Sequence, residues 1–146
     1  MQLVYMKHKK SKKNRFTNIS EWGSKLGLSF SSYITIGDRV IALDGLQRIV
    51  MVLEYVNRAA QPWIIKLSDV KSISLKKIYG TINAGEFVQK KFDEFLHAIH
   101  LVFQYNTEIK AVTLPFYEHG KNHLRDVLVA ERNARTWQLI LSKMIS

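Results

Sequence analysis

RVIALDGLQRIVMVLEY, residues 39–55, is the stretch that decides the fold class. Two runs dense in Val, Ile and Leu, Arg39–Leu43 and Gln47–Tyr55, flank the pair Asp44-Gly45. Branched side chains at this density favour extended backbone, and Asp-Gly supplies the left-handed conformations that a tight turn needs. The stretch therefore predicts an antiparallel hairpin. Further extended runs follow. Pro62–Leu67 is a third apolar run, Ser68-Asp69 a turn, and Val70–Tyr79 alternates. In that alternation Val70, Ser72, Ser74 and Lys76 share one face, opposite Lys71, Ile73, Leu75 and Lys77. The segment Gly80–Lys91, with two glycines, reads as a long loop. Beyond it, Phe95, His97, Ile99, Leu101, Phe103 and Tyr105 line one face of a strand, Asn106-Thr107 turns the chain, and Lys110–Glu118 is the last strand.

Helices flank this series. Residues 16–28 predict a short one, with Ser20 as N-cap, Glu21 in the first turn, and Phe16, Ile19, Trp22 and Leu26 on roughly one side. Gly23 weakens it and Gly27 is its stop. Residues 122–145 predict the longest helix, with Asn122 as N-cap. There Val127, Ala130, Ala134, Trp137, Leu141 and Met144 recur every three or four residues as one apolar stripe. The expected class is α+β, mainly antiparallel β. It is a bent sheet or small barrel of six to seven strands over about 34–118, capped by the C-terminal helix and preceded by the short one. One domain over 16–146 follows a basic arm over 1–15.

The arm holds most of the charge asymmetry. The chain of 146 residues carries a net charge of +10. Lys7, Lys9, Lys10, Lys12, Lys13 and Arg15 supply six cations before the first acid, Glu21. The remaining residues hold 16 basic and 12 acidic groups, a surplus of only four. A duplex-binding domain would carry its cations on a folded face instead. The absence of cysteine excludes disulfide scaffolds, thiolate metal sites and cysteine nucleophiles. The opening apolar run, Leu3–Met6, is too short for a signal-peptide core. It reads as the trailing edge of an apolar segment, with Tyr5 placed as an interfacial anchor.

WIIKLSDVKSISLKK, residues 63–77, and ARTWQLILSKMI, residues 134–145, resemble the strand–turn–strand phrase and the C-terminal capping helix of pleckstrin-homology-like domains. The chain as a whole, from Lys7 to Ile145, is similar to small bacterial single-pass proteins. In these a Lys-rich junction and a short helix precede such a domain. The resemblance implies a binding or scaffolding module and brings no catalytic residues. The hairpin at 39–52 departs from lipid-binding members, offering only Arg39 and Arg48, with Asp44 at its tip, so a phosphoinositide site is not expected.

Other constellations read more simply as structure. His97 and His100 point to opposite faces of a strand and cannot share a metal, and His97 among Phe95, Ile99 and Leu101 reads as a core histidine. His119 and His123, with Glu118, straddle a helix boundary, which disfavours a metal pair. Asp93 with Glu94, and Asp126 with Glu131, do not converge as catalytic carboxylates must. No GxSxG is present, and GTINAG at Gly80–Gly85 lacks the P-loop lysine. No cofactor or metal is expected, and no enzyme. Tyr55, Trp63, Tyr79 and Phe87 lie near Arg58, Lys76, Lys77, Lys90 and Lys91, so a single-stranded nucleic-acid binder is the alternative. The first expectation is a binding or scaffolding domain, the cytoplasmic part of a membrane-anchored protein if a transmembrane helix precedes it and a cytoplasmic protein otherwise. Its arm would contact an anionic surface, with a protein or peptide as further partner.

Overall fold

The structure, a computed structural model, describes residues 18–80, 96–107, 110–121 and 126–145. The class is α+β, with seven antiparallel strands in two sheets, a short N-terminal helix and a long C-terminal one. The chain forms two compact units, the first ending at Leu67 and the second beginning at Ser68.

The first unit is a meander, β1 (Ser32–Ile36), β2 (Arg39–Asp44), β3 (Ile49–Val56) and β4 (Ala59–Lys66), paired in that order. Its registers run without a break from Ser32↔Leu43 to Val56↔Ala59. Central strands β2 and β3 are buried on both faces, which explains why they read as continuous apolar runs. On one face Val40, Ala42, Met51 and Leu53 form a cluster with Ile19 and Leu28. Ile19 comes from helix α1, whose helical backbone covers residues 18–25.

Several expectations for α1 change. Ser20 lies inside the helix and is not its N-cap, and Phe16 lies outside the described residues. Leu26 is exposed, because it falls in the turn that ends the helix, and Leu28 is buried in its place. The stop itself is at Gly27, where φ is +71°. The Leu28 amide donates to the Gly23 carbonyl (2.8 Å) and the Gly27 amide to that of Ser24 (3.1 Å), the paired bonds of a Schellman motif. Gly23 has a packing role beyond its helix propensity. A Cβ there would stand 2.5 Å from Cε2 of Phe30, so the missing side chain is what seats the ring.

Three turns join the meander. The first is Gly37-Asp38, with Gly37 at φ +57°. The second was expected at Asp44-Gly45, but Asp44 pairs with Ile49, so the loop comprises residues 45–48. It closes with Arg48 in the left-handed region at φ +58°. The third, Asn57-Arg58, has φ of +52° and +65°, as a two-residue type I′ hairpin requires.

The second unit pairs β5 (Val70–Tyr79), β6 (Leu96–Tyr105) and β7 (Ala111–Glu118), after a 3₁₀ turn at Leu67–Asp69. Helix α2 (Val127–Ser142) packs on all three strands. Four residues of the expected stripe, Val127, Ala134, Trp137 and Leu141, are buried. Ala130 is half-buried and so is Met144, which falls in the turn after the helix ends at Ser142; Asn122 lies outside the described residues. Gln138 Nε2 donates to the Ile73 carbonyl (3.2 Å) and ties the helix to β5.

Here the strict alternation fails, because three residues have no opposite number in the ladder. Lys71 of β5 is skipped between Val70↔Tyr105 and Ser72↔Gln104, which places Val70 and Ile73 together in the core. His97 is skipped opposite Ile78 and Tyr79, and Phe116 between Tyr117 and Pro115. Such bulges bend a strand and redirect its side chains. The neighbours Ala98 and Ile99 are both buried, as are Phe116 and Tyr117. Pro115 sits in β7, an edge strand of this sheet, where the lack of an amide is tolerated.

Candidate functional site

A groove of about 430 Å³ opens in the first unit between α1 and the segment that enters β1. Helix residues Ser20 and Ser24 face Ser29, Ser31 and Ser32 across it, with Phe30 and Tyr33 supplying aromatic surface and Leu28 an aliphatic patch. The two walls are fixed differently. On the helix side the Gly23–Phe30 contact holds the ring against α1. On the other side the Ser31 amide (2.8 Å) and Oγ (3.1 Å) both donate to the Leu43 carbonyl.

Asp44 completes the support. It is 2% exposed, and its carboxylate accepts four hydrogen bonds. Oδ2 takes the Ser29 amide (2.9 Å) and Nε2 of Gln47 (3.2 Å). Oδ1 takes the Leu46 (3.0 Å) and Gln47 (2.9 Å) amides. The same Gln47 amide group donates to the Gly27 carbonyl at 2.6 Å. The Gln47 amide, then that of Ser29, holds the carboxyl below its ordinary range against the opposing pull of desolvation. Asp44 is therefore not the exposed tip of a hairpin. It clips the β2–β3 loop to the groove wall.

Among the described residues that line the groove there is no carboxylate, imidazole, amine or guanidinium. Serine hydroxyls both donate and accept, so the groove can hydrogen-bond a neutral polar group. It offers no general base and no charge for an anion. Its signal in the sequence was the serine cluster LSFSSY at residues 28–33, which carries no motif and so was passed over.

The described residues singled out as candidate site residues do not line this groove. Lys7, Lys9, Lys10, Lys12, Lys13 and Arg15 lie outside the described residues, as do Asp93, Glu94, His123, Phe87, Lys90 and Lys91. His97 is exposed rather than a core histidine. As the bulged residue it turns its ring over Gly80, where a Cβ would collide with it, and meets His119 edge to face at 5.6 Å between centroids. That is packing geometry, with the His119 amide donating to the His97 carbonyl (2.7 Å). Arg39 pairs with Glu54 across β2–β3 (2.9 Å). Glu131 is held by Lys77 of β5 and by Arg135 (3.0 Å), while Asp126 is exposed just before α2. The Lys77 bond, then that of Arg135, keeps the Glu131 carboxyl below its ordinary range despite desolvation.

Tyr55, Arg58 and Trp63 belong to the first unit, and Tyr79, Lys76 and Lys77 to the second. Tyr55 is committed, its hydroxyl accepting from Nδ2 of Asn18 at 3.1 Å. Burial raises the pKa of Tyr105, assisted by Asp69, and that of Tyr117, assisted by Asp126. The fully buried Tyr117 hydroxyl has no hydrogen-bond partner among the described residues. Among the described residues no three His, Asp or Glu side chains are placed to hold a metal. Among the same residues no helix is long and apolar enough to cross a membrane. No protein-family model matches the chain, and neither a curated protein nor a solved structure does.

Proposed function

We propose that this chain is a non-catalytic binding or scaffolding module held at the cytoplasmic face of a membrane by its basic arm. The observation that carries the reading is the distribution of charge. Six cations fall within residues 7–15, against a surplus of four over the rest of the chain. Each Lys or Arg beside an anionic leaflet contributes roughly 1 kcal/mol, so the arm has an upper bound of about 6 kcal/mol, reduced by salt. A neutral, hydroxyl-lined groove fits a binding role better than a catalytic one. The pleckstrin-homology-like reading belongs to the same proposal. Its support is the order of four meandering strands, three further strands and a closing helix.

Flotation with anionic vesicles tests the arm. The full chain rises with the vesicles, and deletion of residues 1–15 abolishes this. Retained flotation after the deletion overturns the role given to the arm. The alternative, single-stranded nucleic acid, draws on the same cations, and a salt titration of oligonucleotide affinity separates it. The membrane reading expects weak, sequence-independent oligonucleotide binding that disappears at physiological salt.

A further inference from the structure

We propose that the outward face of α2 docks an acidic, amphipathic segment of a partner protein. A helix packed on a sheet ordinarily turns its apolar residues inward and leaves a polar face to water. Helix α2 does the first, yet its other side carries Leu128 at 69% exposure, Val129 at 54%, Leu139 at 61% and Ile140 at 38%. Leu128 and Leu139 are eleven residues apart, as are Val129 and Ile140. This is three turns and about 16 Å along the axis, at nearly the same azimuth. Two aliphatic pairs therefore stand at the two ends of one exposed face.

The space between them is cationic. Arg132 and Arg135 lie in the row that joins the two leucines, and Lys143 follows Leu139; all three are exposed. The one carboxylate of α2, Glu131, is committed to Lys77 and Arg135. Among the described residues α2 thus brings exposed aliphatic anchors and cations to this face and no acid but Glu131, with Asp126 exposed just before its first turn. Exposed aliphatic side chains repeated on one helix face, with polar groups between them, offer anchors to a partner.

Charge selects the occupant. A second copy of the chain, laid antiparallel on this face, would set Arg132 and Arg135 against their own counterparts, and like charges at close range are unfavourable. A helix lying in a bilayer interface keeps its cations at the flanks of a continuous apolar stripe, whereas here two arginines interrupt the stripe itself. An acidic segment fits both features. Its aliphatic residues cover the leucine pairs, and its carboxylates accept paired N–H bonds from the guanidinium groups. The surface does not depend on the arm and stands whether or not the arm binds lipid.

The test uses the full chain and a labelled helical peptide with leucines eleven apart and glutamates four and seven positions after the first. A scrambled peptide of the same composition is the control, because the arm would attract both equally. Fluorescence anisotropy is expected to show tighter binding of the ordered peptide. L128S/L139S and R132E/R135E should each weaken it at least about tenfold, roughly 1.4 kcal/mol or more. A matching peptide with lysines in place of the glutamates should recover binding to R132E/R135E. Leu128 and Leu139 are exposed, so L128S/L139S keeps the circular dichroism of the parent. Because Arg135 also holds Glu131, R132E alone is the charge variant that leaves that pair intact and should weaken binding in the same direction. Equal affinity for ordered and scrambled peptides, or no effect of L128S/L139S, overturns the proposal. So does a concentration-dependent dimer lost in L128S/L139S, which assigns the face to a second copy. Vesicle binding lost in L128S/L139S assigns it to a bilayer and also overturns the proposal.

Discussion

The two units cover an antiparallel sheet with a helix in opposite ways. In the first the sheet is regular and the helix short. The registers of β1–β4 are unbroken, and α1 contributes the fully buried Ile19, a Schellman stop at Gly27 and a bare Gly23 that receives Phe30. In the second the helix is long and regular and the sheet is interrupted by bulges at Lys71, His97 and Phe116. Each unit also holds a carboxylate at low pKa, by different means. Asp44 is held mainly by backbone and side-chain amides, Glu131 by the cations Lys77 and Arg135. Amide donors are fixed in place and insensitive to salt, whereas a cation pair near the surface is screened.

Substitutions can break or sharpen this contrast. Trp137→Ala removes the largest side chain that α2 buries and is expected to cost about 3–5 kcal/mol in chemical denaturation. Hydrogen exchange should then rise first in β5–β7. Equal loss of protection in β1–β4 would show that the units do not open separately.

Asp44→Asn comes next. Its new NH₂ group would face a donor, the amide of Ser29 or that of Gln47, so the clip opens and Tm falls, less than for Trp137→Ala. The pH dependence has a definite sign. Because the folded pKa lies below the unfolded value of about 4, the contribution is complete at neutral pH. It is lost as pH falls from the unfolded value of about 4 through the folded value below it. The variant should lose this part of the acid slope. Glu131→Gln has the same sign, but added salt should shrink its effect and leave that of Asp44→Asn unchanged.

Smaller effects separate packing from propensity. Gly23→Ala gains up to about 1 kcal/mol of helix propensity but displaces Phe30, which costs roughly 1–3 kcal/mol, so the net effect is destabilising by about 1 kcal/mol. In the Phe30→Ala background the same change should stabilise, and the double-mutant cycle reads the coupling directly. Smallest of all, Arg58→Gly relieves a left-handed non-glycine residue in the I′ turn. It should stabilise by about 0.5–1 kcal/mol, measured as a shift of the urea midpoint.

Most regular parts of each unit were legible in the sequence, β1 and the start of β4 excepted, and the adjustments were not. β2 and β3 announced themselves because both faces are buried, and the α2 stripe because its period is unbroken. The Asn57-Arg58 turn was hidden because arginine occupies a position where glycine is the usual signal. The bulges were hidden because nothing local marks Lys71, His97 or Phe116. His97 was misassigned for that reason, since one skipped residue moves it to the opposite face. Asp44 looked like a turn tip because Asp-Gly is a turn signal, and its four hydrogen bonds appear only once Ser29 is brought beside it. The groove was illegible because hydroxyls and aromatics from α1 and the β1 approach carry no spacing rule.

The central functional claim is that affinity for a membrane is electrostatic and resides in the arm. The most direct measurement is co-sedimentation of the full chain with vesicles that contain or lack anionic lipid, across a salt series. The account predicts binding only with anionic lipid, falling steadily as salt rises. Equal, salt-insensitive binding to neutral vesicles would contradict it.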